Sequence, residues 1–504
     1  MKNSFTALDL IVVVGYLALT TFLGVYLGRN QKSERDYFIA NHTIPWWAVL
    51  FSIVATETSA LTVISIPGLA YIGNLGFLQI AAGYIIGRIV VAYTLLPRYY
   101  DGQLVTAYAL LERRFGVATR RFASVVFMFT RAFADSVRVF ATAIPVALIL
   151  EPVLPATVVM PTAILVLGAL TLFYTYNGGV RAVVWTDVIQ TIVYLIGAAA
   201  AVVIIGHGVA GGWGSILHTA AAAGKLRVID LYTGFDQPQT LFAGLLGGAF
   251  LSMASHGADQ VIVQRLMTAS SLRDARKALI GSGFAVFVQF ALFLLIGAGL
   301  WVYFGAQHFD SPDKIFPTFI VTAMPTGLMG LLVAAILAAT MSAHSGAINS
   351  LAAATVHDIY LPLTGRTPSD ARTLAVAKRA SLAWGVVLLV IALLYRQQGT
   401  PVVIVALSIA SFTYGALLGG FALGLLWKRA QQRDAITGMA VGITVMSVIV
   451  FAKQLSSLWP ALEPVGRIAW PWYVLIGTIV TVSVGMLTSL FPNRHARPHP
   501  ETAQ

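Results

Sequence analysis

The stretch PWWAVLFSIVATETSALTVISIP, residues 45–67, holds four consecutive polar residues, Thr56, Glu57, Thr58 and Ser59, at the centre of an otherwise apolar run. An acid in the middle of a membrane-length segment costs about 2.5–3.5 kcal/mol on insertion scales, so it faces a partner or a wet cavity rather than lipid. Small polar residues also let helices approach closely, and scattered serines such as Ser124 or Ser447 are read that way. Four in a row including an acid point instead to a binding site inside the bilayer.

Around that run the whole chain has the composition of a membrane protein. Its 504 residues are 58% hydrophobic and 10% charged, with a mean hydropathy of +0.81. Apolar runs of about 20 residues, long enough to span a bilayer, recur throughout. Thirteen are read at 7–28, 45–70, 75–97, 121–150, 156–177, 180–206, 239–264, 277–304, 326–356, 374–396, 401–427, 433–453 and 468–491. Backbone groups in lipid must be satisfied within each segment, and these runs are too long and evenly apolar for barrel strands, so the expected fold is an all-α polytopic membrane protein. The first run is too long for a signal-peptide core and is kept as a helix. With no cysteine in the chain, thiolate metal sites and disulfides are excluded.

The net charge of +12 follows the membrane rather than nucleic acid. Lys and Arg concentrate about threefold on one set of alternate loops, such as the one holding Arg98, Arg113, Arg114, Arg120 and Arg121, over the set holding Lys225, Arg227 and Lys314. The positive-inside rule then places the N-terminus outside and the C-terminus in the cytoplasm, in the inner (plasma) membrane. Basic loops facing anionic lipid need no nucleic-acid partner.

Ten of the runs divide into two sets of five whose first members cross the membrane in opposite directions. Each first member is interrupted, by Thr56–Ser59 in one set and by Ser252, Ser255, His256 and Gly257 in the other. That is the pattern of a 5+5 inverted-repeat transporter with broken helices at the midplane. The expected organisation is an extra helix and loop over 1–44, repeats over 45–238 and 239–431, two further helices over 432–491 and a tail over 492–504.

Several polar residues lie where a cation could be held. A dehydrated sodium ion needs several oxygen ligands, which hydroxyls and the carbonyls of an unwound helix supply. Ala339, Ser342 and Ser345 lie on the ninth run, with the two serines on one helical face. Asp187 sits about 10 Å inside its own run at 1.5 Å per residue, where it could bind or relay a cation. Arg131, Asp135 and Arg138 share a face of the fourth run. Arg138, the deeper arginine, is expected to hold a solute carboxylate or to neutralise Glu57.

Gly178-Gly179-Val180-Arg181-Ala182-Val183-Val184-Trp185-Thr186-Asp187-Val188-Ile189-Gln190 resembles the signature of the sodium/solute symporter family. Ala338 to Ser350, Asp358-Ile359-Tyr360 and Gly257 to Arg265 resemble that family too. The resemblance implies a LeuT-like fold and cation-coupled uptake. By position it implies a sodium site made of the carbonyls of Ala55, Thr58 and Ala339 and the hydroxyl of Ser342, with Ala343 where relatives often carry a second hydroxyl. Members resembling sodium/sialic acid transporters have a second sodium near positions matching Asp187, Ser342 and Ser345, and this chain has Gly346 where a further serine can occur. The same resemblance assigns the solute to Glu57, Ser59, Thr62, Phe77, Gln79 and Arg138, with Ser252 and Ser255 where family sugar transporters carry bulkier residues.

The expected activity is therefore secondary active, sodium-coupled import of a small polar organic solute by alternating access, with an organic anion preferred. Sodium is the co-transported ion, and the partners are the solute and the bilayer. Two rivals stand beside it: a non-transporting membrane sensor, and a symporter coupled to protons through Glu57 or Asp187. An enzyme is not expected, since no Gly-rich phosphate loop, HExxH or GxSxG motif stands out.

Overall fold

The computed structural model of the chain describes residues 5–28, 42–57, 60–101, 106–151, 153–175, 180–365, 371–396 and 400–491. Thr58, Ser59, Gly178 and Gly179 lie outside the described residues. Helices fill every predicted run: α1 (Ala7–Gly28), the pair α2 (Trp46–Glu57) and α3 (Ala60–Ile72), α4 (Leu78–Thr94), α5 (Val117–Leu150), α6 (Ala156–Thr175) and α7 (Val180–Gly208). They continue with the pair α8 (Gly248–Gly257) and α9 (Gln260–Leu266), then α10 (Leu272–Tyr303), α11 (Leu328–Ala353), α12 (Ala371–Leu394), α13 (Val402–Leu426), α14 (Gln432–Val450) and α15 (Trp472–Ser489). Among the described residues seven helices are long and apolar enough to cross a bilayer, and the bent pair α2–α3 adds an eighth span. Among the shorter helices outside the apolar runs, Gly212–Ala222 and Ile315–Ala323 lie in the connections after α7 and α10.

Both first members are broken, each for a local reason. The axes of α2 and the helix that follows it meet at 58° across the polar run. There the Thr62 hydroxyl donates to the Glu57 carbonyl at 3.2 Å, satisfying an acceptor that a helix end leaves open. The second break falls at Ala258 and Asp259, directly after the predicted interruption. Asp259 adopts an extended conformation and its carboxylate accepts from Val261 N at 2.8 Å, so it is the N-cap that starts α9.

The packing repeats itself across the two halves. α4 packs on α8, while α10 packs on α2 and α3; α5 packs on α12 and α13, while α11 packs on α6 and α7. The principal contacts of the second and third helices of one half have counterparts in the other, as a pseudo-twofold axis in the membrane plane requires. The chain is thus an all-α, LeuT-like inverted-repeat membrane protein. α1 is fastened to this core by Asp9, whose carboxylate accepts from Gly327 N at 2.7 Å and Gly330 N at 3.0 Å and so caps α11 from outside.

Where α4 meets the turn leading into α8, small residues set the spacing. A Cβ on Gly83 would stand 2.3 Å from the Gly244 carbonyl oxygen, and one on Gly87 2.3 Å from that of Ala249. Those neighbours are backbone and cannot swing away, so this is close packing of the kind membrane helices use in place of a hydrophobic drive. Gly87→Leu is expected to cost roughly 3 kcal/mol or more through overpacking, seen as loss of the monodisperse peak in detergent. Gly15→Leu is the control, because nothing lies within 4 Å of a Cβ there.

Candidate functional site

Three buried polar clusters line the contact between the two broken helices and their neighbours. In the first, Asp187 on α7 holds together elements of both halves. Its Oδ2 accepts from Ser52 Oγ on α2 at 2.8 Å, and its Oδ1 accepts from Ser342 Oγ on α11 at 2.8 Å. Arg265 on α9 completes the group, with Nη2 3.7 Å from Asp187 Oδ2 and Nε donating to Ser52 Oγ at 3.2 Å. All four side chains are buried.

This arrangement joins residues that the sequence places far apart. Asp187 and Ser342, 155 residues apart in the chain, are in direct contact. Ser52 is one turn before Ala55 on α2, and Ala339 is one turn before Ser342 on α11, so two of the expected carbonyl donors stand on the two helices that the carboxylate joins. The Ser342 hydroxyl gives its proton to Asp187 and keeps lone pairs for a cation. Ser345 Oγ, buried on the same face, has no hydrogen-bond partner. Oxygens from a carboxylate, hydroxyls and carbonyls make a donor set that suits a hard monovalent cation.

The second cluster surrounds Glu57 and corrects one expectation. Glu57 is paired with Arg88 of α4, not with Arg138. Arg88 also donates from Nη1 to Ser282 Oγ on α10 at 2.6 Å, and His256 Nε2 of α8 lies 3.6 Å from the Glu57 carboxylate. His256 is held in turn through Nδ1 by Ser255 Oγ at 2.8 Å, and Ser252 Oγ donates to the Tyr84 carbonyl at 3.0 Å. Glu57 side chain keeps 17% of its surface exposed, while Arg88 is fully enclosed.

The third cluster is on α5. Asp135 Oδ1 lies 3.6 Å from Arg131 and 3.3 Å from Arg138, and Arg131 is 3.4 Å from Asp259, whose carboxylate also accepts from the Tyr414 hydroxyl. Arg138 therefore has a carboxylate neighbour that it shares with Arg131. Its side chain is 16% exposed, and its Nε is unpartnered.

Two expected solute residues lie elsewhere. Phe77 packs edge-on against Phe290, with ring centroids 5.4 Å apart. Gln79 is engaged by backbone, donating to Gly76 O at 3.2 Å and Gln239 O at 2.9 Å and accepting from Asp230 N at 3.1 Å. Both sit at the start of α4, about 14 Å or more from Arg88 along the helix axis at 1.5 Å per residue. The residues that sequence reasoning missed are Arg88, Ser52, Arg265, Asp259 and Tyr414. Arg265 directly follows an apolar run, where a loop cation would stand, yet it is 5% exposed and belongs to a helix. The available signal for Arg88 was a lone charge inside an apolar run, the same signal that marked Glu57.

Known proteins share both the sequence pattern and the architecture. The description "Sodium:solute symporter family" matches residues 37–442. The sodium/sialic acid symporter of Aliivibrio fischeri is 30% identical over 500 residues, covering 97% of this chain and 95% of that one. Its counterpart in Proteus mirabilis is 30% identical over 495 residues, covering 97% and 96%. A solved Na+-coupled sialic acid symporter, in a substrate-bound outward-open state with a novel Na+ site, superposes with a TM-score of 0.82 at 29% identity, covering 97% of this chain and 99% of that one. These matches favour sodium-coupled symport over the sensor and proton-coupled readings.

Proposed function

Because the chain belongs to the sodium:solute symporter family, we propose that the small solute it carries with sodium is an organic anion, bound through its carboxylate to Arg138. The observation that carries this reading is the division of partners: Glu57 is claimed by Arg88 and His256, while Arg138 keeps an unpartnered Nε and partial exposure. The relatives named for sialic acid, itself an acidic sugar, support the same class. Ser59, Thr62, Glu57, Ser252 and Ser255 line the rest of the solute space in this reading. The functional halves are 45–238 and 239–431, the N-terminus is outside and the C-terminus cytoplasmic, following the basic loops.

Sodium binds, in this reading, between the break after α2 and the middle of α11, at the carbonyls of Ala55, Thr58 and Ala339 and the hydroxyl of Ser342, with Asp187 and Ser345 alongside. An ion there ties the broken helix to the other half and completes the solute site, so each ligand favours the other. One positive charge moving down an inside-negative 100 mV potential releases about 2.3 kcal/mol, enough for roughly fiftyfold accumulation before the sodium gradient is added. Sodium leaves toward the cytoplasm past Asp187.

Transport currents from the purified protein in liposomes, recorded over a panel of carboxylates, amino acids and neutral sugars with sodium or choline, test the reading. Carboxylate-evoked currents that need sodium are expected; responses confined to neutral sugars would refute the anion assignment. Ser342→Ala should raise the sodium half-saturation by about tenfold to a hundredfold, the loss of one ligand to a charge. The fold should tolerate it, because Asp187 keeps Ser52 and Arg265. An unchanged half-saturation removes Ser342 from the site.

A further inference from the structure

The first two turns of α10 are built against their own electrostatics. Arg273, Arg276 and Lys277 stand at i, i+3 and i+4, so three cations share one face of the helix. Like charges at that spacing repel, and the positive end of the helix dipole adds to the repulsion. The acid of the same turn does not offset them. Asp274 accepts from Ser270 Oγ at 2.8 Å and Ser271 Oγ at 3.0 Å in the N-cap, and it feels Arg273 and Lys277 only at longer range. Among the described residues none of the three cations has an ion-pair partner. Two of them lie instead against exposed aromatic rings. Arg276 donates from Nε to the Ala92 carbonyl at the end of α4 at 3.0 Å, with its guanidinium carbon 5.0 Å from the centre of the Tyr93 ring. Lys277 Nζ is 5.9 Å from the centre of the Trp46 ring at the start of α2. Tyr93 is 62% exposed and Trp46 40%.

We propose that the start of α10, with the end of α4 and the start of α2, binds one anionic phospholipid, its phosphate held by Arg276 and Lys277 and its acyl chains lying on the apolar surface beneath. α10 packs against both α2 and α4, so the three helix ends form one corner of the molecule. Arg276 spends only Nε on the protein, and its two Nη groups offer the paired donors that suit a phosphate. Arg273 adds its charge one turn nearer to water. Below this head cluster both helices continue as exposed apolar strips: Ile89 and Ile86 lie four and seven residues before Tyr93, and Phe284 and Val288 lie seven and eleven residues after Lys277. A soluble anion would use the cations alone, whereas a phospholipid uses cations, rings and strips together. The depth is that of a headgroup. Tyr93 is five residues beyond Arg88, and Lys277 is five before Ser282, to which Arg88 donates. Both therefore stand about 8 Å outward from that buried contact, on antiparallel helices, at 1.5 Å per residue. Outward here is toward the basic loops, and the leaflet that such loops face is the anionic one.

Native mass spectrometry of the purified full chain, titrated with dioleoylphosphatidylglycerol or dioleoylphosphatidylcholine, tests the site. The first phosphatidylglycerol should bind at least tenfold more tightly than phosphatidylcholine, and it alone should raise the thermal midpoint. A basic residue near the membrane surface contributes about fivefold to such binding, so Arg276→Gln/Lys277→Gln should weaken phosphatidylglycerol by about thirtyfold and leave phosphatidylcholine unchanged. Lys428→Gln/Arg429→Gln removes the same charge from another loop of the same side and should keep the preference. Equal binding of the two lipids by the natural chain overturns the proposal. So does an equal loss in the two double variants, which would mean a general attraction of the basic face. Inorganic phosphate that raises the midpoint as far as phosphatidylglycerol would make this a soluble-anion site and overturn the lipid assignment. Should the first double variant fail to purify, Lys277→Gln alone, at an exposed side chain, is expected to lose about fivefold, and no loss there counts against the site.

Discussion

Arg88→Met is expected to abolish transport and to destabilise the protein by about 3–5 kcal/mol, the usual cost of removing one member of a buried ion pair. Total stabilities run to only about 5–15 kcal/mol, so most of the folded population is at risk. The reason lies in what each partner would be left with. Arg88 is fully enclosed and reaches Glu57 on α2 and Ser282 on α10, so a single side chain from α4 ties both elements of the opposite packing arm. Without it, Glu57 faces His256 at 3.6 Å and no other cation among its ion-pair partners. Burying an uncompensated carboxylate at mid-membrane depth is the costly state, more than losing the attraction itself. Glu57→Gln combined with Arg88→Met removes both charges and should therefore recover part of the stability that the single change loses. The thermal midpoint in detergent, read by size-exclusion after heating, should rank the single variant lowest, the double variant between, and the natural chain highest. A single variant as stable as its parent would show that the pair holds nothing.

The architecture was legible because its signals are local. Run length and apolar content mark a spanning helix without reference to any other part of the chain, and both broken helices carry their polar interruptions in plain view. Even there the second break lies at Asp259 rather than within Ser252 to Gly257, since an aspartate N-cap, not the serines, starts α9. The partners were not legible, because they are set by packing over long separations. Glu57 and Arg88 stand on different helices, and Asp187 finds Ser342 across the two halves. Arg265 follows the apolar run, where sequence alone does not distinguish a loop cation from a buried one, and the short helix after the break carries it into the core beside Asp187. Gln79 is polar and sits on an expected helix, but the loop that folds over the start of α4 takes its amide.

The clusters also share a design. Three of the buried carboxylates on the broken helices or their neighbours are bound by groups from more than one element: Asp187 by α2, α9 and α11, Glu57 by α4 and α8, Asp259 by α5 and α13. A transporter must move its halves against each other without exposing these charges to lipid. Contacts gathered at the two breaks allow that, because the unwound segments are where the backbone can re-aim while the long helices stay intact. Sodium bound between α2 and α11 would add one more tie at the same place, which is why ion and solute affinity should rise together.

Arg138→Met should leave sodium binding near normal while raising the solute KM by about thirtyfold to several hundredfold, from the roughly 2–4 kcal/mol of a lost charge-assisted pair. The change should be tolerated by the fold, because Asp135, its one ion-pair partner among the described residues, keeps Arg131 at 3.6 Å. Arg138→Lys should recover only part of the affinity, since an ammonium cannot offer the planar two-pronged contact that suits a carboxylate. The decisive comparison is between the best panel carboxylate and its carboxamide, which keeps the shape and loses the charge. In the natural chain the amide should be the poorer solute by about the factor the mutation causes; in Arg138→Met the two should be equally poor, because the group that told them apart is gone. Retained preference for the carboxylate in that variant would move the anion to another cation of the site, and Arg131, bound on both sides by Asp135 and Asp259, is the less available one.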